Sequence, residues 1–295
     1  MEHQPPSPSL PVDQLLRSHS ALDDLDPTIQ AWSRALHVLH NLENEHPLSR
    51  SSNLDCLYQS CRYILSRLSW SAPLNRFELG LESRLLTTFF DEDEWLTDNH
   101  LHLMLELTQE RVELAGLTSI HVIKLTSFLS ILCTHHNDPN SKTCRGSEWL
   151  VKLGEGLGDG SIEKIAFIAH QGGNHWVAYV IDGRSRTILY GDSLNGAADV
   201  ERQQKLQHWV KRHTNTHFPI NSLPILDQTD SSSCGIFAFE ALEFNLLQHV
   251  NSVARRPIHH RLEVFRRIGE RALNFDLDVS LQCKYRCTIP AHICV

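Results

Sequence analysis

Residues 175–192 read as two strands joined by a tight turn, and no other stretch constrains the fold as strongly. Residues 176–181 and 187–190 are rich in β-branched and aromatic side chains, with Asp182-Gly183-Arg184-Ser185 between them. A two-residue turn with Gly183 at its first central position pairs Asp182 with Ser185. It sets His175 directly opposite Asp192 on one face of the hairpin. A carboxylate placed there can hold an imidazole in one tautomer. Asp182 is the rival acid, but it falls in the turn, at the far end of the strand from His175. A slip of one residue would put His175 and Asp192 on opposite faces.

The second informative string is Asp227-Gln-Thr-Asp-Ser-Ser-Ser-Cys234-Gly-Ile-Phe. Ser231 to Ser233 are good N-cap types, and the apolar run from Gly235 onward reads as a largely buried helix. Cys234 then stands at a helix N-terminus, where the dipole and a nearby His175 imidazolium both favour a thiolate. Gln228 lies on the entering loop. Its side-chain N–H can serve an oxyanion beside the backbone N–H of Cys234. Thiol, base, orienting carboxylate and amide donor are the four parts that cysteine-peptidase chemistry needs. The plain alternative, a core cysteine, is the commoner fate of a single thiol. The three partners in register argue against it.

Taken together, these residues resemble the ubiquitin-like-protein-specific (SUMO-type) cysteine proteases, whose wider clan includes the adenovirus proteinase. The chain order His175, Asp192, Gln228, Cys234 is that family's, whereas papain-like enzymes place the cysteine first. Glu94-Trp95-Leu96-Thr97-Asp98 is similar to the family's W-L-x-D segment, which opens the first helix of the protease domain. Residues 125–129 and 148–150 fit its middle, and 165–168 fit the strand before the histidine. The likeness covers about residues 74–273. One position departs: Ser233 stands where the family usually has Asp.

The resemblance implies an α+β fold, a cysteine-protease domain with a central mixed sheet flanked by helices, preceded by a small helical N-terminal extension. It implies a peptidase or isopeptidase that cuts after the Gly-Gly tail of SUMO or a related ubiquitin-like protein. The partners would be that modifier and its conjugates, with no cofactor and no metal. Trp95 and Trp176 would roof a tunnel for the tail, and Asp98 would contact the modifier near it. A flat indole pair admits glycine and excludes any Cβ. Trp95 fits plain core packing at a helix start equally well. Two other readings use the same residues: an acetyltransferase of the wider clan, and a modifier-binding pseudoenzyme kept open by Ser233.

The 295 residues carry a net charge of −8, which argues against a general nucleic-acid binder. Nothing approaches a membrane-spanning apolar run, and the first residues lack the pattern of a signal peptide. Eight scattered cysteines, one of them needed free, suit a reducing compartment, so an intracellular location (nucleus or cytoplasm) is expected. The expected organisation is a Pro/Ser-rich disordered tail over 1–11, a helical extension over 12–73, the protease domain over 74–275 and a C-terminal tail over 276–295. In the extension, Asp26 and Pro27 can start a helix that carries Ile29, Trp32, Leu36, Leu39 and Leu42 at near-helical spacing. A second helix is expected over 54–68.

Farther along, the patterns predict helices over 95–114, 126–134, 147–153, 199–213 and 257–273, and strands over 165–170, 176–182, 186–191 and 223–226. Gly154-Glu-Gly-Leu-Gly-Asp-Gly160 has a phosphate loop's glycine content in the wrong context, after a helix and before a strand. It reads as a helix end and turn. Cys283, Cys287, His292 and Cys294 have zinc-ligand chemistry but no recognised zinc spacing. The arginines at 255, 256, 261, 266, 267 and 271 read as a solvated helix face.

Overall fold

The computed structural model describes residues 27–45, 52–137, 148–173, 175–248 and 256–273. In chain order the elements are α1 (Pro27–Asn44), α2 (Ser52–Arg67), a 3₁₀ segment (Ser83–Phe90), α3 (Asp98–Leu114), β1 (Ile120–Ile123), α4 (Phe128–Asn137) and α5 (Glu148–Asp159). There follow β2 (Lys164–Gln171), β3 (His175–Asp182), β4 (Thr187–Gly191), α6 (Val200–Thr214), β5 (Ile220–Ser222), α7 (Cys234–Leu247) and α8 (Pro257–Ala272). They divide into two units, Met1–Glu92 with Val253–Val295, and Asp93–Ser252. No described helix is long and apolar enough to cross a membrane. The proposed cap Asp26, Arg255 and the four zinc candidates lie outside the described residues.

In the first unit, α1 buries Trp32, Leu36, Leu39 and Leu42, the stripe that its periodicity predicts. The Trp32 indole N–H donates to the Trp70 carbonyl at 3.0 Å. α8 packs on α2 and on the 3₁₀ segment. Its arginines are not the solvated face expected of them. Arg261 is fully buried, and its Nη1 donates to the Asp91 carbonyl at 2.8 Å. Arg266 is held between Glu263 and Glu270. A buried guanidinium on carbonyl acceptors satisfies the carbonyls left at the end of the 3₁₀ segment.

The second unit is built on a mixed sheet in the order β1-β2-β3-β4-β5. The β1/β2 and β4/β5 pairs are parallel, and the two central pairs are antiparallel. β3 is apolar at consecutive positions because both its faces are covered. Val177, Tyr179 and Ile181 join a cluster with Phe128, Leu150, Phe167, Leu206 and Trp209. α7 packs against β3 and β2. At the far end of α7, Glu243 is buried and accepts from Thr108 (3.1 Å) and Arg111 (2.8 Å), which ties α7 to α3.

Several elements differ from expectation. The β3–β4 connection is four residues, not two: Asp182 pairs with Thr187, a register shifted by two. The Asp182 carboxylate accepts from the Ser185 N–H at 2.9 Å, and Arg186 takes the left-handed conformation that closes the turn. Gly183 serves packing instead, since a Cβ there would lie 3.0 Å from Leu157. β5 falls at Ile220–Ser222, earlier than the expected 223–226, because Pro224 has no N–H for a sheet ladder. The four-residue β1 was not anticipated, being too short for its alternation to register.

The glycine-rich stretch differs as well. It stays helical to Asp159 instead of ending at Leu153. A Cβ at Gly154 would sit 2.4 Å from the His213 ring, and one at Gly158 would sit 2.3 Å from the His213 carbonyl oxygen. The glycines therefore let α5 approach α6. In an open helix Gly→Ala stabilises by up to ~1 kcal/mol. Here Gly158→Ala is expected to destabilise by about 1–3 kcal/mol, read as a lower urea midpoint. A raised midpoint would show that the close approach is dispensable.

Candidate active site

β3 presents His175 at its first residue, and the loop after β4 presents Asp192. Their hydrogen bond joins His175 Nε2 to Asp192 Oδ1 at 2.7 Å. In the observed register Asp192 lies diagonal to His175 instead of opposite it. A shift of two preserves the face, and the ring's far nitrogen spans the longer diagonal. The Asp192 carboxylate is buried and further engaged: Leu194 N–H donates to Oδ1 at 2.9 Å and Tyr190 O–H to Oδ2 at 3.2 Å. Burial, and then the Asp192 charge, push the Tyr190 phenol up to about 12, so it stays a neutral donor. With Nε2 committed to the carboxylate, Nδ1 is the lone pair left for a proton. The rival Asp182 is occupied by the turn and by Lys164, 3.5 Å away.

Cys234 opens α7 and is only 3% exposed. Burial raises its thiol pKa, opposed by the backbone N–H groups of Trp176, Gly235 and Cys234 itself. Burial thus opposes the thiolate that a helix N-terminus alone would favour. Its sulfur lies among N–H donors, one of them on the residue after His175. Gly235 allows this closeness. A Cβ there would meet Leu101 at 3.2 Å and the Trp176 ring at 3.3 Å. Because the pKa is raised, protonated sulfur persists beyond the pH at which an ordinary cysteine ionises. Iodoacetamide alkylation of Cys234, followed on its peptide by mass spectrometry, is expected to rise with a midpoint above about 8.5. A midpoint below about 7 would mean a resting thiolate–imidazolium pair.

The loop before α7 differs from a simple serine cap. Ser233 occupies the N-cap position without a side-chain cap bond. Instead, Asp230 Oδ1 accepts the N–H groups of Ser232 (2.9 Å) and Ser233 (2.8 Å). Burial works against the Asp230 charge, but hydrogen bonds from Ser232, Ser233 and Gln228 outweigh it and hold its pKa below the ordinary value. Gln228 Nε2 donates to the Asp230 carbonyl oxygen (2.9 Å) and to Oδ1 (3.1 Å), and Gln228 Oε1 accepts from Ser193 Oγ at 2.9 Å. The Gln228 N–H also bonds the Ser193 carbonyl at 2.7 Å, and Asn195 bonds Asp227 at 2.9 Å. The Asp192 and Gln228 loops are thereby zipped together.

Trp176 is buried, and its indole N–H donates to the Leu96 carbonyl at 2.8 Å. That bond brings the segment of Trp95 beside Trp176, with the Trp95 side chain partly open to solvent at 36%. Helix α3 begins at Asp98, not at Trp95, because Thr97 caps it: the Thr97 N–H donates to His100 Nδ1 at 3.1 Å. Asp98 is exposed at this N-terminus and accepts from the Thr126 hydroxyl. Sequence reading missed Ser193, Tyr190 and Asp230. Only Asp230 had a local signal, an Asp followed by serines, the signature of an Asx turn.

A family model described as "Ulp1 protease family, C-terminal catalytic domain" matches residues 94–266. Among solved structures, the SUMO protease Ulp1 with its catalytic cysteine oxidised to a sulfinic acid aligns at 18% identity and TM-score 0.56, covering 73% of this chain and 95% of that one. The Chaetomium thermophilum Ulp1-like SUMO protease catalytic domain aligns at 17% and 0.55, covering 73% and 88%. The Ulp1 protease domain in complex with Smt3, the yeast ortholog of SUMO, aligns at 17% and 0.54, covering 73% and 96%. At these identities the likeness is one of fold. Comparison with curated proteins gives no match.

Proposed function

The chain belongs to the Ulp1 protease family, and from that premise we propose that it is a cysteine peptidase cleaving after the Gly-Gly tail of SUMO or a related ubiquitin-like protein. The observation that carries this reading is the 2.7 Å His175–Asp192 bond beside a thiol lodged against the backbone of Trp176. His175 Nδ1 takes the Cys234 proton as sulfur attacks the glycine carbonyl. The oxyanion is met by the Cys234 backbone N–H and the Gln228 amide. The imidazolium, stabilised by Asp192, protonates the departing lysine amine. Water, activated by the neutral imidazole, then hydrolyses the thioester and regenerates the thiol.

Trp95, Trp176 and Asp98 are proposed to receive the tail. Trp176 is buried and anchored by Leu96, whereas Trp95 is open to solvent and is proposed to complete the passage when the tail enters. Selection by this pair is steric, so the modifier itself supplies the test. Replacing the penultimate glycine of a SUMO precursor by alanine is expected to lower kcat/KM by about 10²-fold or more, the loss that accompanies misplacement of the scissile carbonyl. Equal cleavage of both precursors would contradict a tryptophan-lined tunnel.

A further inference from the structure

We propose that Ser193 and Asp230 are positioning residues that hold the Gln228 amide at its two ends and so decide which of its atoms can face the oxyanion. The inference rests on Gln228 being the side-chain oxyanion donor. An amide can present either its oxygen or its nitrogen, and only the nitrogen stabilises negative charge. Ser193 Oγ, 1% exposed as a residue, donates to Oε1 at 2.9 Å and secures that end of the amide, although a hydroxyl could also accept from an NH₂. Asp230 meets the other end, taking Nε2 on its carbonyl oxygen at 2.9 Å and on Oδ1 at 3.1 Å. The two Asp230 oxygens can only accept, so they admit the nitrogen and not the oxygen on that side, and the Ser193 hydroxyl then caps the oxygen at the other end.

Each clamp residue is also tied to another part of the site. Ser193 directly follows Asp192, and its carbonyl accepts the Gln228 backbone N–H at 2.7 Å. The orientation of the oxyanion donor is therefore coupled to the turn that holds the carboxylate. Asp230 Oδ1 simultaneously takes the Ser232 and Ser233 N–H groups. It supplies the loop entering α7 with the anion that Ser233 lacks. An asparagine at 230 can still accept through Oδ1, whereas an alanine cannot, so Asp230→Asn is the conservative variant.

The test uses the full chain and SUMO joined at its C-terminal glycine to a fluorogenic aminocoumarin. Gln228→Ala is expected to lower kcat by about 10²-fold. Ser193→Ala and Asp230→Ala lower kcat by about 10-fold or more with KM held, and add little in the Gln228→Ala background. Asp230→Asn restores most of the loss. Alkylation of Cys234 builds no oxyanion, so its rate in Ser193→Ala should match wild type, which separates positioning from general damage. Full additivity with Gln228→Ala, or unchanged kcat in both clamp variants, overturns the proposal.

A readout independent of substrate is proton exchange of the Gln228 side-chain NH₂, assigned in nitrogen-15 spectra by its loss in Gln228→Ala. Slow exchange that quickens in Asp230→Ala supports the clamp, and exchange indifferent to that variant refutes it. If Gln228→Ala leaves kcat intact, the oxyanion reading fails, and the exchange data still decide whether the amide is clamped.

Discussion

Cys234→Ala is expected to lower turnover of a SUMO-aminocoumarin substrate by about 10⁴-fold or more while leaving affinity for the modifier within a fewfold of wild type. The loss is large because no other group on the site can form the acyl intermediate. Affinity survives because the change removes one sulfur at the mouth of a helix, away from the Glu243–Arg111 contact that secures the far end of α7. Cys234 is buried, so a methyl in place of CH₂SH leaves a small void, and the thermal midpoint should be tracked beside activity. Binding by titration and turnover by fluorescence separate the two quantities. Wild-type-like turnover would remove Cys234 from the mechanism.

Asp192→Asn comes next, with an expected fall in kcat of about 10²–10⁴-fold, by analogy with loss of the orienting carboxylate in serine proteases. Asparagine keeps the shape, but His175 Nε2 and the Leu194 N–H share Oδ1, so an amide that turns its NH₂ to His175 also gives up the Leu194 bond, and the thermal midpoint should be tracked beside kcat. What is lost is charge beside the imidazolium, together with control of its tautomer. If the amide presents NH₂ to His175, Nε2 must become the acceptor and Nδ1 carries the proton, which leaves no lone pair for the thiol. Raising the pH should not rescue this variant, because the defect is one of tautomer and not of thiol ionisation. A kcat within threefold of wild type would show that the 2.7 Å bond does not orient a catalytic base.

The mixed sheet flanked by helices was legible in the sequence, and so was the pairing of His175 with Asp192. His175 and Cys234 stand out because each opens a locally coded element, a strand rich in β-branched and aromatic residues and a helix after a serine run, and Asp192 and Gln228 lie on the loops beside them. The hairpin register was misread by two because Gly183 looked like a turn glycine, while the Asp182 bond to Ser185 selects a longer loop. His175 and Asp192 still meet because strand faces repeat every two residues. The glycines of α5 deceived in the same way. Local propensity reads them as a helix end, and only the approach of His213, more than fifty residues away in sequence, explains their place in a helix.

Ser193 and the role of Asp230 were hidden for a different reason. Their significance lies in hydrogen bonds between two loops that are distant in sequence, and no periodicity encodes such a contact. Ser233, which departs from the family pattern, was expected to cap the helix with its own side chain, and it makes no cap bond. The observed loop places a carboxylate there from Asp230 instead. The burial of Cys234 was likewise invisible, since it depends on tertiary packing at the start of α7, where Trp176, Leu96 and Leu101 close around the neighbouring Gly235.

The central claim, that Cys234 attacks the C-terminal carbonyl of a ubiquitin-like tail, is tested most directly by covalent capture. The full chain is incubated with ubiquitin-like proteins carrying C-terminal thiol-reactive warheads, and any adduct is mapped by peptide mass spectrometry. The predicted result is a stoichiometric adduct with SUMO or a close relative, located on Cys234 and absent in Cys234→Ala. An adduct on a different cysteine, or none with any modifier from a folded protein, would contradict it.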